Sequence, residues 1–180
     1  MSMTRSTAAR GGILRNTEPQ PHASRSRDPR IPRPTSPSVT RVMRANRAGD
    51  TTPELLLRGA LRKAGVKGYR KNWPRVPGRP DIAFPAAKLA VFVHGCFWHG
   101  CPRCNLPLPK SNQFYWQKHL RENQDRDKRK IVGLEAIGWR VIVRWECEIR
   151  EDVDRSATFI RKRLNQLVVA ARQRPDRAAG

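Results

Sequence analysis

Leu57, Leu61 and Ala64 recur at helical spacing in TTPELLLRGALRKAG and predict an amphipathic helix as the first ordered element. Thr52 is placed to cap it, with Pro53 at its first helical position, Glu54 in its first turn and Gly65 ending it in the left-handed conformation. KGYRKNW is a short strand candidate and VPGRP a turn. PDIAF and KLAVFVH are apolar runs joined by the short PAAK connection, which predicts a hairpin. Beyond a cysteine-bearing loop and the polar stretch NLPLPKSN, a long charged helix is predicted from Gln113 to Ile137, stopped by Gly138. WRVIVRWE reads as an apolar, β-branched strand, and residues 152–173 as a last helix with Ile160, Leu164, Leu167 and Val168 on one face. The order of helix, strands, helix, strand and helix, without internal repeats, predicts an α/β sandwich: a mixed central sheet flanked by helices.

Composition divides this chain. Residues 1–40 are rich in Pro, Ser and Arg and poor in aliphatic side chains, so they are expected to be a disordered basic tail with a net charge of +5. The remaining +17 of the overall +22 lies in residues 41–180, so the folded part is basic in its own right. A field of that sign attracts polyanions, and a nucleic-acid backbone is the expected partner. No stretch is long and apolar enough to span a membrane, and MSMTRSTAARGG lacks the apolar core of a secretory signal. Four cysteines without such a signal point to a reducing compartment, where metal ligation is favoured over disulfides.

The cysteines stand at Cys96, Cys101, Cys104 and Cys147. Cys101 and Cys104 form a C-x2-C pair whose sulfurs suit one ion, Cys96 lies on the same loop, and Cys147 ends the strand WRVIVRWE. Together they offer the four ligands of a closed structural zinc site, with His99 as a substitute for one sulfur; four separate thiols are the plainer reading. RPDIAF places Asp81 at a strand start, and KLAVFVH ends in His94. A carboxylate and a histidine at strand ends suit a hard divalent cation, although a lone Asp there also serves as a turn residue. Glu54 equally suits a helix N-terminus, and Asp127 a solvated helix face. Phe97 and Trp98 on the cysteine loop, with Trp116 at the start of the long helix, are either satellite packing or side chains that insert into a base stack.

TTPELLLR, the VPGRPD block, VFVHGCFWH, FYWQKHLRENQDRD and GWRVIVRWEC, in that order, resemble the very-short-patch repair (Vsr) mismatch endonucleases. The resemblance runs from about Met43 to Ile149, which makes residues 41–150 a Vsr-like domain and residues 151–180 a C-terminal helix and short tail. It implies a restriction-endonuclease-like fold and a DNA endonuclease, a hydrolase that nicks one strand 5′ of the thymine at T:G mismatches left by deaminated 5-methylcytosine. Asp81 and the Val93 carbonyl would then bind catalytic Mg2+, with His94 and Asp127 holding metal-bound water, His99 as general base and Glu54 as a supporting acid. Cys96, Cys101, Cys104 and Cys147 would hold structural Zn2+, Cys101 standing where the family can have histidine. Phe97, Trp98, Trp116 and Met43 would enter the DNA. The implied setting is a monomer in the bacterial cytoplasm, at the nucleoid, working beside other mismatch-repair proteins on double-stranded DNA. A same-fold nuclease for restriction or branched DNA, or a non-catalytic zinc-stabilised DNA-binding protein, are the alternatives.

Overall fold

The computed structural model of the chain describes residues 49–173, so the expected tail and Met43 lie outside the described residues. Helix α1 (Thr52–Lys63) leads to strand β1 (Arg70–Lys71), strand β2 (Ile82–Phe84), a 3-10 turn (Pro85–Ala87) and strand β3 (Leu89–His94). Helix α2 (Gln113–Ala136), strand β4 (Arg140–Trp145), helix α3 (Glu146–Glu151) and helix α4 (Val153–Arg172) follow. The strands form one mixed sheet in the order β1-β2-β3-β4. The first two pairings are antiparallel, and β3 runs parallel to β4, with His94 opposite Trp145. The parallel pair requires a crossover, which α2 supplies.

Strand β3 is apolar along its length because both of its faces are covered. Leu89 and Val91 join Ile82, Phe84, Ile142, Ile149 and Ile160 in a core that includes Leu57 and Leu61 of α1. Ala90 and Phe92 alternate to the other face and pack with Val76, Leu134 of α2 and Trp139. Each of the large side chains buried in these cores contributes about 1.5–3 kcal/mol. This alternation positions the site. His94, two residues beyond Phe92, comes to the α2 side of the sheet, while Val93 packs toward the α1 side.

Three local expectations change. The N-cap of α1 is Thr51, not Thr52, because the Glu54 carboxylate accepts hydrogen bonds from the Thr51 amide at 3.4 Å and its hydroxyl at 2.8 Å. The last strand stops at Trp145, whose amide donates to the Glu148 carboxylate at 3.0 Å; this contact starts a short helix and puts Cys147 on its first turn. On α4, Ile160 is fully buried and Leu164 and Leu167 pack against the core, but Val168 is exposed, because one residue beyond Leu167 turns it round the helix away from that face. Gly65 and Gly138 do take the left-handed conformation, at φ 74° and 77°.

Candidate active site and cysteine centre

Asp81 immediately precedes β2, and the hairpin register brings it beside β3. Its Oδ2 accepts the Val93 amide at 2.7 Å. Burial pushes its pKa up to about 6; the Val93 bond opposes that shift and the nearby Glu54 charge adds to it. Its other oxygen makes no hydrogen bond to protein among the described residues.

His94 ends β3, and the loop after it folds back so that the His99 amide reaches the Gly95 carbonyl at 3.2 Å. The two imidazoles stack with centroids 4.1 Å apart and planes 11° from parallel. Asp127 approaches from the middle of α2. Its Oδ2 lies 2.5 Å from His99 Nδ1 and 4.0 Å from His94 Nε2, and its Oδ1 accepts from Lys130 Nζ at 3.1 Å. Burial opposes the Asp127 charge, but the His99 bond and the two histidines overcome it and hold the pKa down to about 2. His94 is pushed the other way, down to about 4, first by burial and then by the His99 charge. At neutral pH the group therefore has an ionised Asp127 and a neutral His94. Asp127 is thus buried and paired, contrary to the solvated-face reading of its sequence context.

Glu54 is buried, and both its oxygens are engaged. Besides Thr51, they accept the Asp50 amide at 3.0 Å and Arg58 Nη1 at 3.4 Å; Arg58 also pairs with Asp50. Glu54 therefore serves the N-terminus of α1 and at the same time lines the cleft that holds Asp81, Val93, His94 and His99. That cleft encloses about 1400 Å³.

The sulfurs of Cys96, Cys101, Cys104 and Cys147 all lie within 4.8 Å of one another. Cys101 and Cys147 are 3.8 Å apart, and the Cys147 amide donates to Cys96 Sγ at 3.3 Å. None of the four is joined in a disulfide. Burial pushes the Cys96 and Cys147 thiols up. For Cys101 burial is outweighed by the Cys104 and Arg103 amides, which draw that thiol down. His99 is turned to Asp127, away from this set.

Phe97, Trp98 and Trp116 form one half-exposed aromatic cluster, with centroids 5.2, 5.5 and 6.0 Å apart. Asn123, unremarked in the sequence, anchors it by donating to the Trp98 carbonyl at 3.0 Å. Lys130 and Asn123 were legible in one respect only: with Asp127 they repeat at i, i+4 and i+7, a polar stripe that faces the site.

The family model described as DNA mismatch endonuclease Vsr matches residues 35–105. The type II nicking enzyme V.XorIIP of Xanthomonas oryzae pv. oryzae is 43% identical over 111 residues, 61% of this chain and 80% of that protein. V.NmeAIP of Neisseria meningitidis, also a type II nicking enzyme, is 42% identical over 128 residues, 71% of this chain and 86% of its own. The chain belongs to the Vsr family. DNA mismatch endonuclease Vsr of Escherichia coli is a further member, 35% identical over 108 residues, 60% of this chain and 69% of that protein. The side chains gathered in the cleft are therefore those of a Vsr-family member, and Asp81, His94 and His99 all fall within the segment that matches the family model.

Proposed function

We propose that the protein is a magnesium-dependent, zinc-stabilised DNA endonuclease of restriction-endonuclease-like fold that nicks one strand 5′ of the thymine at T:G mismatches. The observation that carries this reading is the convergence of Asp81, His94 and His99 in one cleft, with His99 oriented by the buried carboxylate of Asp127. Asp127 fixes Nδ1 of His99, which leaves Nε2 as the atom that takes a proton from the attacking water. Neutral His94, stacked on His99, holds that water without adding a charge.

The chain's own groups fit both metals. Asp81 is a buried carboxylate with an oxygen to spare and a second acid nearby, an arrangement that a cation relieves. Asp81 and the Val93 carbonyl would hold Mg2+, which when bound supplies positive charge for the scissile phosphate and an oriented water. A tetrahedral zinc site with bonds of about 2.3 Å has sulfur–sulfur edges of about 3.8 Å. The Cys101–Cys147 separation matches that edge. Four thiolates leave zinc no open position, so its role is to fix the loop that carries Phe97, Trp98 and His99. Those aromatics, with Trp116, would enter the base stack at the mismatch.

The type II nicking names of several relatives favour a second reading, a nick at a different recognition site. Both readings place a monomer on double-stranded DNA in the bacterial cytoplasm. No helix among the described residues is long and apolar enough to cross a membrane. A panel of T:G-mismatched, junction and matched duplexes with Mg2+ separates the readings. Preferential nicking 5′ of the mismatched thymine is expected. Asp81→Ala nicking as fast as the parent would sink both.

A further inference from the structure

Arg79 stands in the turn between β1 and β2, two residues before Asp81, with its backbone in the left-handed region at φ 48°. An arginine gains nothing locally from that conformation, which a side chain with a Cβ enters at a cost. The surroundings impose it. Pro80 on one side is fully buried, and its carbonyl accepts the Trp73 amide at 3.3 Å. Gly78 on the other side is also left-handed and lies so close to α2 that a Cβ there would be 2.8 Å from Lys130 Cβ. A residue held in a strained conformation by over-determined packing beside a catalytic group points to a use for its side chain.

That side chain lines the cleft, and its charge is unspent. Of the other arginines and lysines of the cleft, Lys130 and Arg150 are ion-paired, with Asp127 at 3.1 Å and Glu146 at 2.8 Å, and Arg126 is held by the neutral Asn123 amide oxygen at 3.1 Å. Among the described residues, Arg79 makes neither an ion pair nor a hydrogen bond to protein through its side chain. A planar guanidinium carrying five donors and no partner, at the rim of a site for a polyanion, matches a phosphodiester oxygen pair.

We propose that Arg79 grips a backbone phosphate of the DNA strand lying in the cleft and sets that strand's register against Asp81. The inference rests on the endonuclease reading above. It assigns Arg79 to binding and positioning, not to proton transfer.

Glycine at this position removes the charge while relieving the backbone, so Arg79→Gly is a substitution the fold accepts. Its melting temperature is expected at or above that of the parent. Binding is measured by fluorescence anisotropy on a labelled T:G-mismatched duplex over a salt series, and nicking on the same duplex with Mg2+. Arg79→Gly is expected to bind roughly tenfold more weakly, with a log K against log salt slope shallower by about one phosphate, while Arg79→Lys keeps the parent slope. An unchanged affinity and slope in Arg79→Gly overturns the proposal, as does a loss confined to kcat. If the parent itself neither binds nor nicks this duplex, the endonuclease reading fails and takes this inference with it. If the parent nicks and Arg79→Gly matches it, only this inference fails.

Discussion

The imidazole of His99 and the carboxylate of Asp127 meet 2.5 Å apart, and that bond joins the cysteine loop to the middle of α2 across a gap of 28 residues in sequence. It fixes which nitrogen of His99 carries the proton and which is free to accept one. Asp127→Asn offers an amide in place of the carboxylate and removes the negative charge beside His99. We expect kcat for nicking to fall at least about a hundredfold, the lower end of what a positioned acid–base group contributes. DNA affinity should stay within a few-fold of the parent, since Asp127 is buried and does not line the cleft. An equal loss in Kd would assign Asp127 to binding instead.

The stability of the magnesium-free protein should depend on pH through two opposed groups. His94 has its pKa lowered from 6.5 to about 4, so as pH falls through this window the unfolded chain takes up a proton that the folded one refuses, and stability is lost. Asp81 has its pKa raised from 3.8 to about 6, so the folded state takes up a proton first as pH falls through that window, and stability is gained. Asp127 stays ionised in both states until pH approaches 3.8 and adds no slope above it. The parent should therefore show a flat melting temperature between pH 6.5 and 4, whereas Asp81→Asn should lose stability steadily on acidification. A flat profile for Asp81→Asn would refute the buried, neutral assignment of His94.

The cysteine centre should be structural. Cys101→Ser or Cys147→Ser is expected to abolish stoichiometric zinc and to lower the melting temperature of the whole domain. Nicking falls with it because His99 is carried on the same loop. Metal content by inductively coupled plasma mass spectrometry, read beside thermal melts with and without a chelator, checks this. Full zinc occupancy in Cys147→Ser would remove that residue from the ligand set.

Gly78→Ala tests the turn that precedes Asp81. The added methyl group would sit 2.8 Å from both Cβ and Cγ of Lys130, at a backbone φ of 79°. Overpacking and the left-handed penalty together should cost about 2–4 kcal/mol. Denaturant unfolding measures it; a change below about 0.5 kcal/mol, the range of an ordinary surface substitution, would show that the turn is not pinned against α2.

What the sequence determined by itself was the order of elements. Periodicity and apolar runs placed α1, the β2–β3 hairpin, β4 and α4, because an apolar stripe or run has to be covered wherever it occurs; α2 was read from its long charged run and the Gly138 that stops it. It also placed the four cysteines as one set, since C-x2-C spacing brings two sulfurs together locally. It did not reach the short helix at Glu146–Glu151, which depends on one carboxylate returning to the Trp145 amide rather than on any apolar pattern.

Tertiary structure decided what the polar residues do. In the run ENQDRDKRK nothing local separates Asp127 from Asp125, yet only Asp127 is turned inward to two histidines from β3 and its loop. The same holds for Arg79, whose unpaired charge emerges only once the partners of Lys130, Arg126 and Arg150 are in place. Hydrophobic burial leaves a period in the chain because it is short-range and repeated. A hydrogen bond between groups 28 residues apart leaves none, and it is the packing of α2 over the sheet that creates it.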